Sequence, residues 1–402
     1  VTVSFSTDGG SAVPTWRGKP GTPLKDVNGN LIQFMPAGRT VDAVPASNYT
    51  SLSNFELEGW YPNTSYNESE RLAPGAPVPS ATFPGNVFPD KSTVFFAKWN
   101  PSTVTSGTWE GIIWEIDALG NVVIYPANGA QNANLPNWGT TVPTTDAWWS
   151  VKNSVTSFAI KGAESGFTIT VPEDGTLYKM FQNFEFMKTC DLTGLVSRNA
   201  VSMESMFEGC RAMTDIKVPA TFEAVNTASF KNMFLNCAKL TEANFQDGFK
   251  VDNASGAKGA TLEGMFDGCL KLTRVMFADA FTGNEPTTTK NMFRNCTVMD
   301  TAFLPGVVMQ NVTNMTSMFD GSAALAHLTL PANMATPNCT DVTAMFKDCH
   351  ALEHIDLTTF DTSKVTTFKQ MFQNCSSLVS VATDQDPTSS STLNVSALNV
   401  SN

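Results

Sequence analysis

The stretch FDTSKVTTFKQMFQNCSSLVSVAT, residues 360–383, decides the fold, because it is one copy of a pattern that fills the second half of the chain. Its Met371-Phe372 pair recurs at Met180-Phe181, Met206-Phe207, Met233-Phe234, Met265-Phe266, Met292-Phe293, Met318-Phe319 and Met345-Phe346. The steps are 26, 27, 32, 27, 26, 27 and 26 residues. Three residues after each Phe stands a Cys, replaced once by Phe184 and once by Ser322. A spaced apolar triplet follows, from Met187/Cys190/Leu192 in the first copy to Leu378/Val381/Thr383 in the last. Self-similarity at a fixed period of this length is the signature of a repeat architecture.

Each copy reads as one small structural unit. The last two triplet positions alternate with polar residues, which is the period of a short strand with one buried face. The stretch before Met-Phe carries apolar residues three apart, as in Val312, Met315 and Met318. That spacing predicts a short helix or helical turn. One strand and one helical turn cannot bury their own apolar side, so neighbouring units must stack into a continuous core. The longest step, from Met233 to Met265, predicts a loop inserted at Asp252-Asn253-Ala254-Ser255-Gly256.

The same register assigns the cysteines. Cys210, Cys237, Cys269, Cys296, Cys349 and Cys375 share the slot after Met-Phe, Cys339 takes the slot of Val312 and Val365, and Cys190 sits in a strand-core slot. Other copies fill these slots with Phe, Ser, Ala or Val. The eight cysteines therefore read as buried thiols stacked in a ladder, each a small hydrophobe. A disulfide between units would demand a particular Cα separation and orientation.

The motif M-F-x-x-C-x-x-L-x-x-h-x-h, with FDTSKVTTFKQMF before its last copy, resembles the BspA-type leucine-rich repeats. The variant is the one common in surface proteins of Gram-positive bacteria and mycoplasmas. The resemblance covers roughly residues 155–383. It implies an α/β solenoid, a right-handed stack of about eight to nine leucine-rich-repeat-like coils. Residues 100–154 resemble the cap that precedes such arrays. SGTWEGIIWEIDALGNVVIYPANG (Ser106 to Gly129) reads as a hairpin turning at Gly120-Asn121, and Trp148-Trp149 leads into a degenerate first coil at Val155, Phe158 and Ile160. A cap is expected physically, since an open solenoid end exposes core and strand edges.

Residues 1–99 have another texture, rich in Pro and Gly and without Cys. VTVSFSTDGGSAVP (Val1 to Pro14), FELEGWY (Phe55 to Tyr61) and TVFFAKW (Thr93 to Trp99) read as strands, the first ending in a hairpin-type Asp8-Gly9-Gly10 turn. The three resemble the Listeria–Bacteroides repeat, which implies a small β-grasp-like domain used as a spacer in bacterial surface proteins. Thr15 to Asn54 is longer than that module usually allows. Residues 384–402 form a Ser/Thr/Asn-rich tail or linker.

Composition narrows the function. Apolar residues make up 42% and charged residues 15% of the 402, so the chain is globular. The net charge of −12 opposes phosphate backbones and anionic lipid, which argues against nucleic-acid and membrane-surface binding. No stretch reaches the ~18 apolar residues of a membrane span. The ends read as those of a mature or trimmed fragment whose export signal and anchor are gone. An extracellular, cell-surface location follows from the resemblance.

Sites of chemistry are few. His327 and His354 share an outward strand slot in consecutive copies, about 4.8 Å apart by strand spacing, with Glu353 and Asp356 close by. They read as stacked polar residues, the competing reading being a metal site or pH-sensitive patch. Cys349-His350 is no dyad, because adjacent residues on one element face apart. Asp26-x-Asn28-Gly29-Asn30 has the look of a calcium loop, though an Asn-Gly hairpin turn explains it more simply. Nucleophile-elbow, zincin and phosphate-loop motifs are absent. No catalytic residue, metal ligand or cofactor is assigned, and an enzyme is not expected. Sequons stand at Asn63, Asn67, Asn253, Asn295, Asn311, Asn314, Asn338, Asn374, Asn394 and Asn399, several of them by-products of the repeat.

Binding is therefore the expectation, across the outward strand residues. These slots run Thr214, Asp215, Lys217; Thr241, Glu242, Asn244; Thr273, Arg274, Met276; Asp300, Thr301, Phe303; Ala326, His327, Thr329; and Glu353, His354, Asp356. Arg274, Met276, Phe303, His327, Glu353, His354 and Asp356 are the candidate binding residues, Met276 and Phe303 forming either a hydrophobic contact patch or a spot covered by a flanking loop. The BspA resemblance implies attachment to host matrix proteins or other microbes, so an extracellular protein or glycan is the expected ligand. The competing reading is a structural subunit of a stalk, sheath or filament that associates with copies of itself.

Overall fold

The computed structural model describes residues 2–6, 16–17, 19–25, 31–32, 55–62, 71–73, 88–89, 91–101, 103–136, 148–219, 222–245, 259–276, 286–303, 309–329, 336–357 and 360–382. Contacts divide the chain into two compact units, Val1–Ser106 with Glu115–Asn121, and Gly107–Trp114 with Val122–Asn402.

In the first unit, β1 (Thr2–Ser6), β2 (Trp16–Arg17), β3 (Phe55–Tyr61) and β4 (Thr93–Pro101) form one sheet in the order β2-β1-β4-β3. β1 runs parallel to β4, while β2 and β3 are antiparallel to their neighbours. Three of these strands fall on the aromatic and alternating segments read from the sequence. Their aromatics build the core: Phe5 meets Trp16 and Trp60 edge-on at 4.9 and 5.0 Å and stacks on Phe95 at 5.9 Å. The Asp8 turn, the Asp26-Asn30 loop and most of Thr15 to Asn54 lie outside the described residues.

The second stretch of chain opens with β5 (Thr103–Trp109), β6 (Ile112–Asp117), β7 (Asn121–Pro126) and β8 (Asn132–Asn134). Gly120 carries the positive φ the hairpin turn needs, +81°. The Asp117 carboxylate fixes that turn by accepting from the Leu119 and Asn121 amides at 2.9 and 2.8 Å. A 3-10 turn at Trp148–Ser154 buries both tryptophans, and Trp149 Nε1 donates to the Met180 carbonyl at 2.7 Å. Then come β9 (Ser157–Ile160), β10 (Thr168–Thr170), β11 (Thr189–Asp191), β12 (Leu195–Val196) and β13 (Asp215–Lys217). They are followed by β14 (Glu242–Asn244), β15 (Arg274–Met276), β16 (Thr301–Phe303), β17 (His327–Thr329), β18 (His354–Asp356) and β19 (Ser380–Ala382).

This is a repeat fold. Strands one repeat apart pair in parallel, β9-β11-β13 in one run and β14-β15, β16-β17 and β18-β19 as pairs. A second parallel ladder of single bridges links Ser202, Ser229, Thr261, Thr288, Asn314, Asp341 and Thr367. Every residue of that ladder has a short polar side chain, which accepts from the amide two residues on, as Asp341 Oδ1 does from Thr343 at 2.8 Å. Such side-chain turns steer the backbone away from helix.

The helix or helical turn expected before each Met-Phe is therefore not there, and the helical half of the expected α/β class is corrected. Among the described residues the only helical segments are short 3-10 pieces, at Ala127–Gly129, Trp148–Ser154 and Ala163–Ser165. Met-Phe instead lies in a run of successive turns. The residue before Met and the residue two after Phe take positive φ in every copy, as at Asn232 (+55°) and Asn236 (+61°). A left-handed residue every four positions forbids an α-helix. Amides along the run alternate in use: Met233 N–H bonds Phe230 within its own unit at 3.1 Å, and Phe234 N–H bonds Met265 in the next unit at 2.8 Å. These closures three residues apart explain why the sequence shows a spacing of three without a helix.

The core between the two ladders is a set of columns. Phe181, Phe207, Phe234, Phe266, Phe293, Phe319, Phe346 and Phe372 stack at 5.2–5.6 Å between centroids, with interplanar angles of 1–14°. The eight cysteines are all buried, free thiols. Six of them donate from Sγ to the Phe carbonyl of the preceding unit at 3.0–3.3 Å, and Ser322 Oγ does the same to Phe293 at 2.8 Å. Burial, and secondarily the neighbouring thiol, drives the Cys237 and Cys269 thiols far above the usual range.

Candidate binding face

The three-residue strands β11, β13, β14, β15 and β18 place their middle residue in the core and their flanking residues outward. Cys190, Ile216, Ala243, Val275, Leu328 and Ile355 are buried, while Asp215, Lys217, Glu242, Asn244, Arg274, His354 and Asp356 are exposed. The parallel register sets the outward residues in columns, Glu242 beside Arg274, Asn244 beside Met276 and His354 beside Ser380. Geometry of this kind offers a long, flat row of side chains.

Charges along the face pair across units at its N-terminal end. Lys217 Nζ lies 2.8 Å from Asp191 Oδ2. Burial works to raise the Asp191 carboxyl, but the hydrogen bonds from Lys217 and Thr193 outweigh it and hold the group below its usual range. Arg274 reaches Glu242 only at 4.0 Å, with both side chains more than half exposed, so that pair contributes little.

The candidate residues divide by what surrounds them. Met276 is half-buried, and Arg274, Glu353, His354 and Asp356 are exposed. His354 Nδ1 stands 2.9 Å from Ser380 Oγ in the next unit. The side chains of Phe303 and His327 lie outside the described ones, so the Met276–Phe303 and His327–His354 pairings stand on the register of the repeat in the sequence alone. Cys349 and His350 do face apart: the thiol donates inward to Phe319, while His350 Nδ1 lies 2.8 Å from the Asn374 carbonyl. Among the described residues no group of three His, Cys, Asp or Glu side chains is arranged to hold a metal ion.

The turn-bearing side pairs several of its charges across units. Glu263 lies between Lys231 and Lys290 at 3.5 and 3.7 Å, Arg294 forks onto the nearly buried Asp267 at 2.6 Å, and Lys347 bridges Asp348 and Asp320 at 2.6 and 3.4 Å. Sequon amides are also in use here: Asn338 Nδ2 donates to the Gln310 carbonyl at 2.9 Å and Asn374 Nδ2 to Asp348 at 2.6 Å. Asn63, Asn67, Asn253, Asn394 and Asn399 lie outside the described residues, as does the Asp252 loop.

Sequence reasoning left the end units off the face. Thr189 and Asp191 on β11 and Ser380 on β19 hold the same outward slots as the named residues. The triplets Met187/Cys190/Leu192 and Leu378/Val381/Thr383 carried that signal, because both keep the common register.

Two family models match the repeat region. A family model described as BspA type leucine rich repeat region matches residues 154–255, 179–283 and 204–339. A second, described as Mycoplasma protein of unknown function, DUF285, matches residues 287–398. No curated protein matches the chain. Among solved structures it is similar to a leucine rich cell surface protein from Faecalibacterium prausnitzii A2-165, at 16% identity, over 70% of this chain and 95% of that one, with a TM-score of 0.25. It is also similar to a leucine-rich repeat protein from Eubacterium ventriosum ATCC 27560, at 12% identity, over 70% and 85%, with a TM-score of 0.27. Among the described residues no helix is long and apolar enough to cross a membrane.

Proposed function

Residues 154–339 make this chain a BspA-type leucine-rich repeat protein, and from that premise we propose that it is a cell-surface adhesin recognising host or microbial macromolecules through its strand face. The architecture behind this reading is a right-handed solenoid of about eight to nine units. A hairpin cap over residues 100–154 and a β-grasp-like module over 1–99 precede it, and 384–402 are a Ser/Thr/Asn-rich tail or linker. The ligand is an extracellular protein or glycan, and no catalytic step is involved.

One observation carries the reading, the contrast between the two long faces. The turn face pairs several ions across units, from Lys231–Glu263–Lys290 to Asp320–Lys347–Asp348, whereas the strand face closes one such pair tightly, Lys217–Asp191. The strand face presents Asp215, Asn244, Glu353 and Asp356 to solvent in a regular row. A flat ladder of exposed side chains on a rigid scaffold is how stacked-repeat proteins recognise partners. Among the candidates, Arg274, Met276, Glu353, His354 and Asp356 are the residues to test first, with Phe303 and His327 in the same slots.

The deciding experiment is a binding screen of the full chain against extracellular matrix proteins and glycans. Variants changed on the strand face (Arg274→Glu with Met276→Glu) run beside variants changed on the turn face (Lys231→Glu with Lys290→Glu). Loss confined to the strand-face variant supports the proposal, and loss confined to the turn-face variant overturns it. Light scattering and imaging of the same protein check for ordered polymers, which would favour a self-associating structural subunit instead.

A further inference from the structure

The strand face changes electrical character along its length. Up to β15 it mixes signs: Lys188, Asp191, Asp215, Lys217, Glu242 and Arg274, with two cross-unit pairs among them. From Asp300 onward the outward slots contain Asp300, Glu353 and Asp356 and no Lys or Arg, and the whole segment from Asn295 to Phe346 lacks both residue types. Asp300, Glu353 and Asp356 are exposed, and neither Asp300 nor Glu353 has an ion pair among the described residues. Beside them Val379 is 76% exposed, a large apolar side chain at the same end of the face.

We propose, building on the binding-face reading, that the C-terminal half of the strand face docks a Lys- or Arg-bearing segment of a protein partner. Asp300, Glu353 and Asp356 receive its cations, and Val379 meets its apolar side chains.

Two arguments select that occupant. First, the charges on this half act with one sign. On the N-terminal half of the face Lys217 and Arg274 sit beside Asp191 and Glu242, so those fields offset one another within a Debye length of about 8 Å. On the C-terminal half the carboxylate fields add, which attracts and orients a complementary cationic surface. Second, the spacing excludes a single shared ion. Asp300 and Glu353 hold the same slot two units apart, roughly 9–10 Å at the usual strand spacing. A divalent cation needs oxygens at about 2.3–2.6 Å, which those two carboxylates cannot supply together. Two or three basic side chains of one polypeptide span such a distance.

The test uses fluorescently labelled octalysine as probe and the intact chain, by anisotropy at about 0.15 M salt. One triple variant is Asp300→Lys, Glu353→Lys and Asp356→Lys. A matched control reverses the same amount of charge at exposed acids off this face, Glu164→Lys, Glu173→Lys and Glu185→Lys. Thermal melts verify that both remain folded. The proposal expects the first triple to bind octalysine at least about tenfold more weakly and the control to stay within about twofold of the parent. Equal weakening of both triples would mean that only net charge acts, and retention of binding by the first would remove the site; either result overturns the proposal. If a ligand from the matrix and glycan screen still needs Arg274 and Met276 while the first triple leaves octalysine binding intact, the docking inference fails and the adhesin reading survives. If no such ligand is found and the first triple alone loses octalysine, the inference stands and the adhesin reading falls.

Discussion

The carboxamide oxygen of Asn295 lies 2.6 Å from the point where a Cβ on Gly321 would stand. Along the column two residues after Phe, Asn and Gly alternate, from Asn183, Gly209, Asn236 and Gly268 to Asn295 and Gly321, all at positive φ. The amide of one unit leans over the glycine of the next. Gly321→Ala should therefore lower stability by roughly 1–3 kcal/mol, through both the left-handed backbone at φ +76° and the lost space. In an Asn295→Gly background the steric part should vanish and the backbone part remain. Urea denaturation of the four proteins of this cycle measures the coupling, and simple additivity would sink the packing account.

The phenylalanine column predicts a dependence on position. Phe266 is stacked on both sides, against Phe234 and Phe293 at 5.4 and 5.6 Å, whereas Phe372 ends the column, stacked on Phe346 at 5.4 Å. Phe266→Ala should cost about 3–5 kcal/mol and Phe372→Ala clearly less, because the cavity cost follows the lost neighbours. A central break also divides the stack into weakly coupled halves, so the Phe266→Ala unfolding curve should broaden or split. Equal losses with equally sharp transitions would contradict this.

Arg294 and Asp267 predict an asymmetry between breaking a pair and removing it. The Asp267 side chain is 6% exposed, so Arg294→Ala leaves a carboxylate with little water and no counter-ion. The expected loss is about 2–4 kcal/mol. Leu235 occupies the same slot one unit earlier, so Asp267→Leu added to Arg294→Ala should restore part of the stability. A double variant less stable than Arg294→Ala alone would show that the slot needs its ion pair.

These three sites also show how far the sequence could be read. The Met-Phe register located the strands, the cysteine slots and the outward residues, because a buried side chain every second position leaves a period in the sequence. It misled at Val312, Met315 and Met318. A spacing of three fits a helix, but it fits equally a run of turns closed three residues apart. The deciding signal was the Asn or Gly two residues after Phe, which is the mark of left-handed backbone. The Asn295–Gly321 contact and the Asp267–Arg294 pair were not legible at all, since each joins residues 26 or 27 positions apart and depends on how closely two units approach. The polarity of the strand face lay in the sequence from the start, as the missing Lys and Arg between Arg294 and Lys347. It gained meaning only once the strands had been aligned in space.

The thiol ladder gives the molecule an alkaline limit. Burial pushes Cys339 and Cys375 from the usual thiol value up to about 11, and raises Cys210, Cys237, Cys269 and Cys296 well above the usual value too. Below the unfolded thiol value near 9 every Cys is protonated in both states, so the packing of all eight and the bond of six of them to a Phe carbonyl count in full. Above it the unfolded chain loses protons that the folded chain keeps. Stability must then fall as pH rises from about 9 through about 11, because the unfolded state binds fewer protons. Denaturation curves across that range should show the decline, and Cys375→Ser should reduce it, since Ser322 demonstrates that the slot accepts a hydroxyl donating to a Phe carbonyl at 2.8 Å. A thiol reagent near pH 8 should label none of the eight cysteines quickly in the native chain and all of them in urea. Cys375, at 8% exposure, should be the first to react as the pH is raised. Rapid native labelling of Cys237 or Cys269, or stability that stays flat above pH 9, would mean that the column opens far more readily than its buried thiol–carbonyl bonds permit.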